Sequence, residues 1–137
     1  MSALMAKESF LEKLRSAPAA SFHVLEPEKA ARMNAKTLFI PSVKDVAKAI
    51  AAIPAGQTRT IQELRSDLAA SGNAETACPA KTIKYWKWLA AAHEELEAGS
   101  QYDIPWWRVL KDGKPSRHMP GGIEAQIALL RNEGVQI

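Results

Sequence analysis

The segment Ile104-Pro105-Trp106-Trp107-Arg108-Val109-Leu110 places two adjacent tryptophans directly after a proline. We expect residues 101–110 to be extended, and on an extended strand successive side chains point to opposite faces. If one of Trp106 and Trp107 packs in the core, the other then faces solvent, a ligand or another loop. The outward ring is therefore a candidate binding residue.

Two helices are predicted upstream of this segment by capping patterns. The capping-box pattern occurs twice and is followed each time by apolar residues at helical spacing: Ser42 with Asp45, and Thr60 with Glu63. These patterns predict helices over residues 43–53 and 61–70, separated by the turn Pro54-Ala55-Gly56. Gly72 is expected to end the second helix in the left-handed conformation.

The N-terminal residues 1–41 predict an arm that is partly helical and partly irregular. Residues 5–16 have the apolar spacing of a short helix. Prolines recur through residues 17–41 and leave room for one helix near residues 28–34. We favour an arm that lies over the core, with a partner-docking segment as the alternative.

The C-terminal part predicts a hairpin, a loop and a last helix. The Asp-Gly pair within Lys111-Asp112-Gly113-Lys114 is a hairpin signal and the expected wing of the fold. Residues 115–122 are expected to form a loop. Apolar spacing from Ile123 then predicts a helix that Gly134 ends.

Composition restricts the classes of protein that this chain can belong to. A length of 137 residues indicates one domain with an appended arm, and 18 Lys and Arg against 15 Asp and Glu give a formal charge of +3, which permits nucleic-acid binding. The single Cys78 cannot form an internal disulfide, and three histidines give no zinc-binding spacing. No membrane span or export signal is predicted. We expect a monomeric, cytoplasmic protein, nucleoid-associated when bound to DNA, without metal or cofactor.

Three segments together resemble one protein family. They are Ile53-Pro54-Ala55-Gly56-Gln57-Thr58, then Ile104-Pro105-Trp106-Trp107-Arg108-Val109, then Gly121-Gly122 followed by Leu129-Leu130-Arg131-Asn132-Glu133-Gly134. Their order and spacing resemble the O6-alkylguanine-DNA alkyltransferases, in which the middle segment reads Ile-Pro-Cys-His-Arg-Val. The Trp at the Cys position is similar to the alkyltransferase-like proteins, which lack catalytic activity. The resemblance covers roughly residues 43 to 135.

The resemblance implies a fold and a division into domains. We expect a mainly α protein: a winged helix-turn-helix with a small β-hairpin wing over residues 42–137, and the arm over residues 1–41. The third helix, which Pro79 begins, is expected to continue through residue 97 to Gly99 and to act as the recognition helix.

The third helix has two different faces. Basic and aromatic residues share the first face at spacing i, i+3, i+4 and i+7: Lys81, Lys84, Tyr85 and Trp88. The second face holds Ile83, Trp86, Ala90 and His93. We favour the interpretation that the first face enters a DNA groove over the alternative that both Trp86 and Trp88 are core residues and the lysines are merely solvated.

The catalytic groups of the alkyltransferases are replaced in this chain. Their Cys thiolate, activated through a His and a Glu, accepts the alkyl group, and the matching positions here are Trp106, Trp107 and Glu133. An indole offers no thiolate, and its N–H donates without useful basicity. We therefore predict no catalytic residue and no enzymatic activity, with Glu133 retained for structure. Cys78 precedes the recognition helix and is expected to be a bystander.

The resemblance also implies which residues contact DNA. Around the two helix starts we expect Arg59, Thr60, Ile61, Lys81, Thr82, Lys84 and Tyr85 to bind DNA. Lys81 stands where the family has the Arg that fills the vacated base stack, and Ile61 stands where it has a Tyr that pushes on the phosphate. Both departures weaken the expectation of efficient nucleotide flipping.

A lesion pocket is expected beside the Trp pair. Its predicted residues are Trp106, Arg108, His118, Met119 and Pro120. Trp106 is expected to be accessible and to stack on the turned-out base, while Arg108 contacts DNA or a backbone carbonyl. Met119 would accommodate alkyl groups of varied size, the alternative being a solvent-facing loop.

The sequence leaves four functional hypotheses. The first is non-enzymatic binding of O6-alkylguanine in double-stranded DNA by nucleotide flipping, which marks the lesion for other machinery such as nucleotide excision repair proteins. The second is a winged-helix DNA-binding or regulatory protein without lesion specificity. The third is alkyl transfer through Cys78. The fourth is a protein-interaction module that docks a partner through the Trp pair and the arm.

Overall fold

The computed structural model describes residues 9–96 and 99–137. Its helices are α1 (Phe10–Ser16), α2 (Pro27–Met33), α3 (Val43–Ala51), α4 (Ile61–Ser71), α5 (Pro79–Ala92) and α6 (Gly122–Asn132). The strands are β1 (Ser21–Val24), β2 (Thr37–Ile40), β3 (Arg59–Thr60), β4 (Thr76–Ala77) and β5 (Val109–Leu110). Short 3₁₀ helices lie at His93–Glu95 and Trp106–Arg108. Helices dominate the described residues, as predicted, but the two small sheets make the architecture mixed.

Both predicted capping boxes are confirmed. The Ser42 hydroxyl accepts a hydrogen bond from Asp45 N at 3.2 Å, and the Thr60 hydroxyl accepts one from Glu63 N at 3.1 Å. Each cap satisfies a backbone donor that the first helical turn leaves without a partner. The caps therefore fix where α3 and α4 begin, although α3 ends at Ala51, before the predicted residue 53.

Gly72 ends α4 for a reason other than the predicted one. Its φ is −93°, so the expected left-handed conformation is wrong, and Asn73 has the positive φ of 55° instead. A Cβ at Gly72 would lie only 2.4 Å from the Phe39 ring. The glycine is needed because the ring of Phe39 packs directly over its backbone.

The N-terminal arm contains a sheet that was predicted to be irregular chain. β1 pairs antiparallel with β2, and β2 pairs in parallel with β4, where Leu38 lies opposite Thr76. The predicted helix near residues 28–34 is confirmed as α2. Of the helix predicted over residues 5–16, α1 confirms the part from Phe10, and residues 5–8 lie outside the described residues.

The arm thus joins the rest of the chain through its second strand. β2 pairs with β4, which directly precedes α5. Phe39 is 9% exposed and belongs to the same core as the residues of α3, α4 and α5. The arm is packed into the core across the predicted boundary between residues 41 and 42.

Helix α5 is shorter than predicted. Pro79 occupies its first turn, as expected, but the helix ends at Ala92 and continues as a 3₁₀ turn instead of reaching Gly99. In this turn His93 Nε2 lies 3.0 Å from Asp103 Oδ1. Residues 97–98 of the predicted helix lie outside the described residues. None of the described helices is long and apolar enough to cross a membrane.

The predicted hairpin turn is confirmed, but no wing of paired strands is established. The N–H groups of Lys111 and Lys114 each donate to the other's carbonyl at 3.0 Å, and Asp112 and Gly113 have positive φ angles of 53° and 73°. Such angles are those of a type I′ turn. β5, which precedes the turn, pairs in parallel with β3 instead of extending the hairpin.

Candidate nucleic-acid interface

The Trp pair lies on the 3₁₀ turn Trp106–Arg108, so the extended conformation predicted for residues 101–110 is wrong there, although it is confirmed for Val109–Leu110 in β5. Trp106 is only 4% exposed, which contradicts the expectation of an accessible ring. The Trp106 and Trp107 rings contact each other edge to face, 5.9 Å apart at 85°. Trp86 Nε1 donates a hydrogen bond of 2.9 Å to the Trp106 carbonyl oxygen, which fixes the turn against α5.

Trp107 is the more accessible of the two tryptophans. Its side chain is half-buried, and its Nε1 is the single fully buried side-chain polar atom without a hydrogen-bond partner among the described residues. The indole lies near the Glu133 carboxylate, which it helps to stabilise, without the geometry of a full hydrogen bond. Trp107 therefore combines an open ring surface with an N–H that has no partner.

Arg108 is occupied by intramolecular bonds. Its Nε donates to Glu133 Oε1 at 3.0 Å, and its Nη1 donates to the Ile53 carbonyl oxygen at 2.7 Å. Hydrogen bonds from the guanidinium hold the pKa of the Glu133 carboxyl below its usual value, although burial acts in the opposite direction. Of the contacts left open for Arg108, DNA or a backbone carbonyl, the structure shows the carbonyl. In this structure its fork is not free for DNA.

A buried glutamine that the sequence analysis did not single out positions the segment after the tryptophans. Gln126 is fully buried in α6 and donates to the carbonyl oxygens of Trp107 and Val109 at 3.0 and 2.8 Å. Its Oε1 accepts from Ser116 N at 2.9 Å. Its spacing of four residues before Leu130 was the available signal, since it places the amide on the buried face of the helix.

An apolar groove of about 350 Å³ opens beside the Trp pair, between the end of α5 and the start of α6. It is lined by Ala90, His93, Glu94, Trp106, Trp107, Pro120, Gly121, Ala125 and Leu129. Of the five predicted pocket residues, it brings together only Trp106 and Pro120. Met119 is buried at 3% exposure, and His118 is exposed outside the groove.

His93 is a groove residue that the predicted pocket did not include. Its ring meets Trp107 edge to face at 5.8 Å and 88°, and its Nε2 pairs with Asp103. The predicted second face of the third helix did contain His93. Nothing in the sequence placed it beside the Trp pair, because the contact depends on where α5 ends.

The predicted DNA-contacting face of α5 divides into two parts. Lys84 is exposed and Lys81 is half-buried, with their Nζ atoms 4.8 Å from the Trp88 ring and 5.7 Å from the Tyr85 ring. Thr82 and Tyr85 are buried, at 0% and 1% exposure, so their predicted exposure to DNA is wrong in this structure. The Thr82 hydroxyl instead donates to the Cys78 carbonyl oxygen at 2.8 Å.

Helix α1 covers part of the same face. Lys13 Nζ lies 5.9 Å from the centre of the Trp88 ring, which is half-buried. Trp86, on the opposite face, is fully buried. The interpretation of Trp86 as a core residue is therefore correct, whereas Lys81 and Lys84 remain accessible on the predicted DNA-contacting face.

The start of α4 is electrostatically compensated. Arg59 donates to Asp67 Oδ1 at 2.6 Å and to Glu63 Oε2 at 3.1 Å, the Thr60 hydroxyl serves the helix cap, and Ile61 is 7% exposed. Lys81 and Lys84, in contrast, form no ion pair with the described part of the chain. Among the predicted DNA-binding residues, these lysines carry the free positive charge. No cluster of three metal-binding side chains occurs within residues 9–96 and 99–137.

Comparison with known proteins supplies the family. Searches of the curated proteins and of the solved structures give no significant match. The family model described as the DNA-binding domain of 6-O-methylguanine DNA methyltransferase matches residues 41–135. This range contains α3 to α6, the Trp pair and the Arg108–Glu133 pair. The chain belongs to the 6-O-methylguanine DNA methyltransferase family through this DNA-binding domain.

Proposed function

We propose that this protein binds O6-alkylguanine in double-stranded DNA without removing the alkyl group, and that the bound complex marks the lesion for other repair proteins, such as those of nucleotide excision repair. The proposal is supported by Trp106, which the resemblance puts at the nucleophile position. Its ring is buried, and its backbone is tied to Trp86. Family membership supplies DNA as the ligand.

The chemistry of the site supports a protein that binds without reacting. Neither Trp106 nor Trp107 provides a thiolate or a base. Glu133 is held by Arg108, so its carboxylate already has a cationic partner. Cys78 precedes α5, whereas the groove lies at the other end near Ala90, about 18 Å away at 1.5 Å per residue. At that distance the Cys78 thiol cannot reach a nucleobase bound in the groove.

Trp107, not Trp106, is the stacking surface in this proposal. It is half-buried and lines the groove, whereas Trp106 is only 4% exposed. Stacking on one aromatic side chain returns about 1–3 kcal/mol, compared with a few kcal/mol for unstacking a nucleotide. The apolar lining suits an alkyl substituent, because a free polar group would lose its hydration there.

Lys81 and Lys84 are the proposed phosphate contacts. Both lie in the first half of α5 and lack ion-pair partners within the described residues. Each cation that replaces a condensed counterion contributes to affinity and to its salt dependence. Binding would then depend on charge at one end of α5 and on aromatic surface at the other.

The test is a titration with two matched duplexes, one of which contains a single O6-methylguanine. We expect tighter binding of the lesion duplex and no methyl group added to the protein by mass spectrometry. Trp107→Ala should remove the lesion preference, while Trp107→Phe should retain part of it because an aromatic face remains.

The same experiment addresses the competing hypotheses. Equal affinity for the two duplexes would favour a DNA-binding protein without lesion specificity. Methylation of the protein would establish an enzyme, and its loss in Cys78→Ser would assign the transfer to that thiol. Absence of DNA binding would overturn the proposal and favour a protein-interaction module.

A further inference from the structure

Two adjoining cavities share no lining residue with the groove and lie between α1, the start of α3 and the segment before the Trp pair. They measure about 320 and 310 Å³. Both are lined by Arg15, Lys44 and Tyr102. No carboxylate is among the described residues that line either cavity. The shared part of the two cavities is therefore cationic.

The two cations that line both cavities have no ion-pair partner within the described residues. Arg15 and Lys44 are exposed, and neither makes an ion pair or a hydrogen bond with residues 9–96 or 99–137. Arg59 and Arg108, in contrast, are both paired with carboxylates. Two like charges at one cavity repel each other, and an anion bound between them would attract both.

Tyr102 adds a polar group that has no protein partner. The residue is only 6% exposed, yet its hydroxyl makes no hydrogen bond within the described part of the chain. Trp107 Nε1 is the one side-chain polar atom there that is fully buried and unpaired, so the Tyr102 hydroxyl must reach open space. Tyr102 lines both cavities, so the residue that carries this unpaired hydroxyl borders the space that a ligand would occupy. A phenol whose ring is buried and whose hydroxyl is unpaired can donate to a ligand.

The start of α3 contributes further donors. The backbone N–H groups of Val43 and Lys44 have no partner within the described residues, because the Ser42 cap serves Asp45 and Val46. The Asp45 carboxylate also lies at this helix end, but it accepts from Ser42 N and Oγ at 2.9 and 2.8 Å. Free N–H groups at a helix N-terminus favour anions.

We infer that this cavity pair binds a phosphate group, with Arg15 and Lys44 supplying the charge and the Tyr102 hydroxyl a hydrogen bond. The ligand class is a phosphate ester, either free in solution or part of a nucleic-acid backbone. The site is separate from the groove beside Trp107, and the inference does not depend on lesion recognition.

The first arm of the test is calorimetric titration with inorganic phosphate at low ionic strength. Arg15→Gln and Lys44→Gln should each lower phosphate affinity by about tenfold or more, as expected for loss of a charge-assisted hydrogen bond. Tyr102→Phe should weaken binding while leaving the melting temperature nearly unchanged, because the ring remains. Lys48→Gln is the matched control, since Lys48 is exposed on the same helix and lines neither cavity.

The second arm separates the two sources of phosphate. If the site holds a DNA phosphate, Arg15→Gln and Lys44→Gln should each reduce the dependence of log affinity on log salt by about 0.9 for an undamaged duplex. Lower phosphate affinity with unchanged DNA binding assigns a free phosphate ester instead. Variants that match the unaltered protein in both arms, or an equal effect of Lys48→Gln, would overturn the inference.

Discussion

Trp86 Nε1 donates a 2.9 Å hydrogen bond to the carbonyl oxygen of Trp106, and both indoles are buried. The bond joins the middle of α5 to the 3₁₀ turn that contains both tryptophans. Without this donor the Trp106 carbonyl oxygen would be buried without a hydrogen bond, which would destabilise the fold. The position of the Trp pair therefore depends on α5, and the shape of the groove depends on α5 and on the Trp pair.

Trp106→Ala should lower the free energy of unfolding strongly. Truncation of a buried tryptophan leaves a cavity and costs about 3–5 kcal/mol of unfolding free energy. Urea unfolding followed by circular dichroism measures the change. Trp107→Ala is the matched variant and should cost less, because the Trp107 ring is only half-buried. A Trp106→Ala variant as stable as the unaltered protein would contradict the buried position.

Gly72→Ala should also be destabilising, although the backbone conformation permits alanine. At φ −93° the substitution restricts the unfolded chain and by itself would stabilise by about 0.4–1 kcal/mol. The new Cβ, however, would lie 2.4 Å from the Phe39 ring, and overpacking of this kind costs about 1–3 kcal/mol. We expect the clash to dominate in thermal and urea unfolding.

A second substitution tests whether the Phe39 ring causes that loss. In a Phe39→Leu background the side chain is smaller and more flexible, so Gly72→Ala should cost less than it does alone. The difference between the two costs is the coupling energy of a double-mutant cycle. Additive effects would show that Gly72 is required for some other reason.

The sequence predicted the elements whose signals are local. The caps at Ser42 and Thr60, the proline that begins α5 and the Asp-Gly turn each act within about four residues, and each was found where expected. The sheet of the arm was missed because its strands are short and because β2 pairs with the distant β4, where Leu38 lies opposite Thr76. Cross-strand pairing of this kind leaves little trace in a four-residue pattern.

The candidate site was predicted less well, for the same physical reason. The Arg108 contact with a carbonyl was anticipated, but the burial of Trp106 and the place of His93 depend on a 3₁₀ turn and on the end of α5. Tyr85 shows the limit of helical spacing, since it shares a face with Lys81 and Lys84 and is nevertheless buried. Spacing assigns residues to a face, whereas packing against α1 and the core determines how much of that face remains open.

The Arg108–Glu133 pair should make stability depend on acid pH. Because the guanidinium lowers the pKa of the Glu133 carboxyl, the folded protein binds that proton less tightly than the unfolded chain. The resulting stabilisation is fully present above the unfolded pKa of about 4.3 and is lost as the pH falls through the lower folded pKa. Glu133→Gln should therefore destabilise at neutral pH, and its difference from the unaltered protein should shrink in acid.

The control for this pH dependence is Glu124→Gln. Glu124 is an exposed glutamate in the first turn of the same helix, and it forms no ion pair with the described residues. Unfolding free energies measured from neutral pH down to about pH 3, below the ordinary glutamate pKa, should separate the two variants. Parallel curves for Glu133→Gln and the unaltered protein would show that Arg108 does not lower the Glu133 pKa.

Lys81→Ala should weaken binding to a lesion duplex more than Lys114→Ala. Lys81 lies in the first turns of α5, where the resemblance implies a residue that fills the vacated base stack, whereas Lys114 lies on the hairpin and can offer a phosphate contact. If both lysines contact phosphate, each substitution should also lower the salt slope by about one. Fluorescence anisotropy with lesion and undamaged duplexes measures both effects. Equal losses on the two duplexes for both variants would remove Lys81 from the stack-filling role.

Restoring the cysteine alone should not restore alkyl transfer. Trp106→Cys supplies a thiol, but Trp107 remains beside it and cannot remove the thiol proton. The variant also replaces a buried indole with a much smaller side chain, so its stability must be checked first. Mass spectrometry after incubation with methylated DNA should show no transferred methyl group.

The double variant Trp106→Cys with Trp107→His should be the minimum change that permits transfer. Trp107 already lies near the Glu133 carboxylate, so an imidazole there would be oriented by Glu133 and could accept the thiol proton. Because Arg108 also binds Glu133, we expect transfer to be slower than in an enzyme whose Glu is free. A single Trp106→Cys variant that transfers methyl as fast as the double variant would show that the site activates a thiol without a base at residue 107.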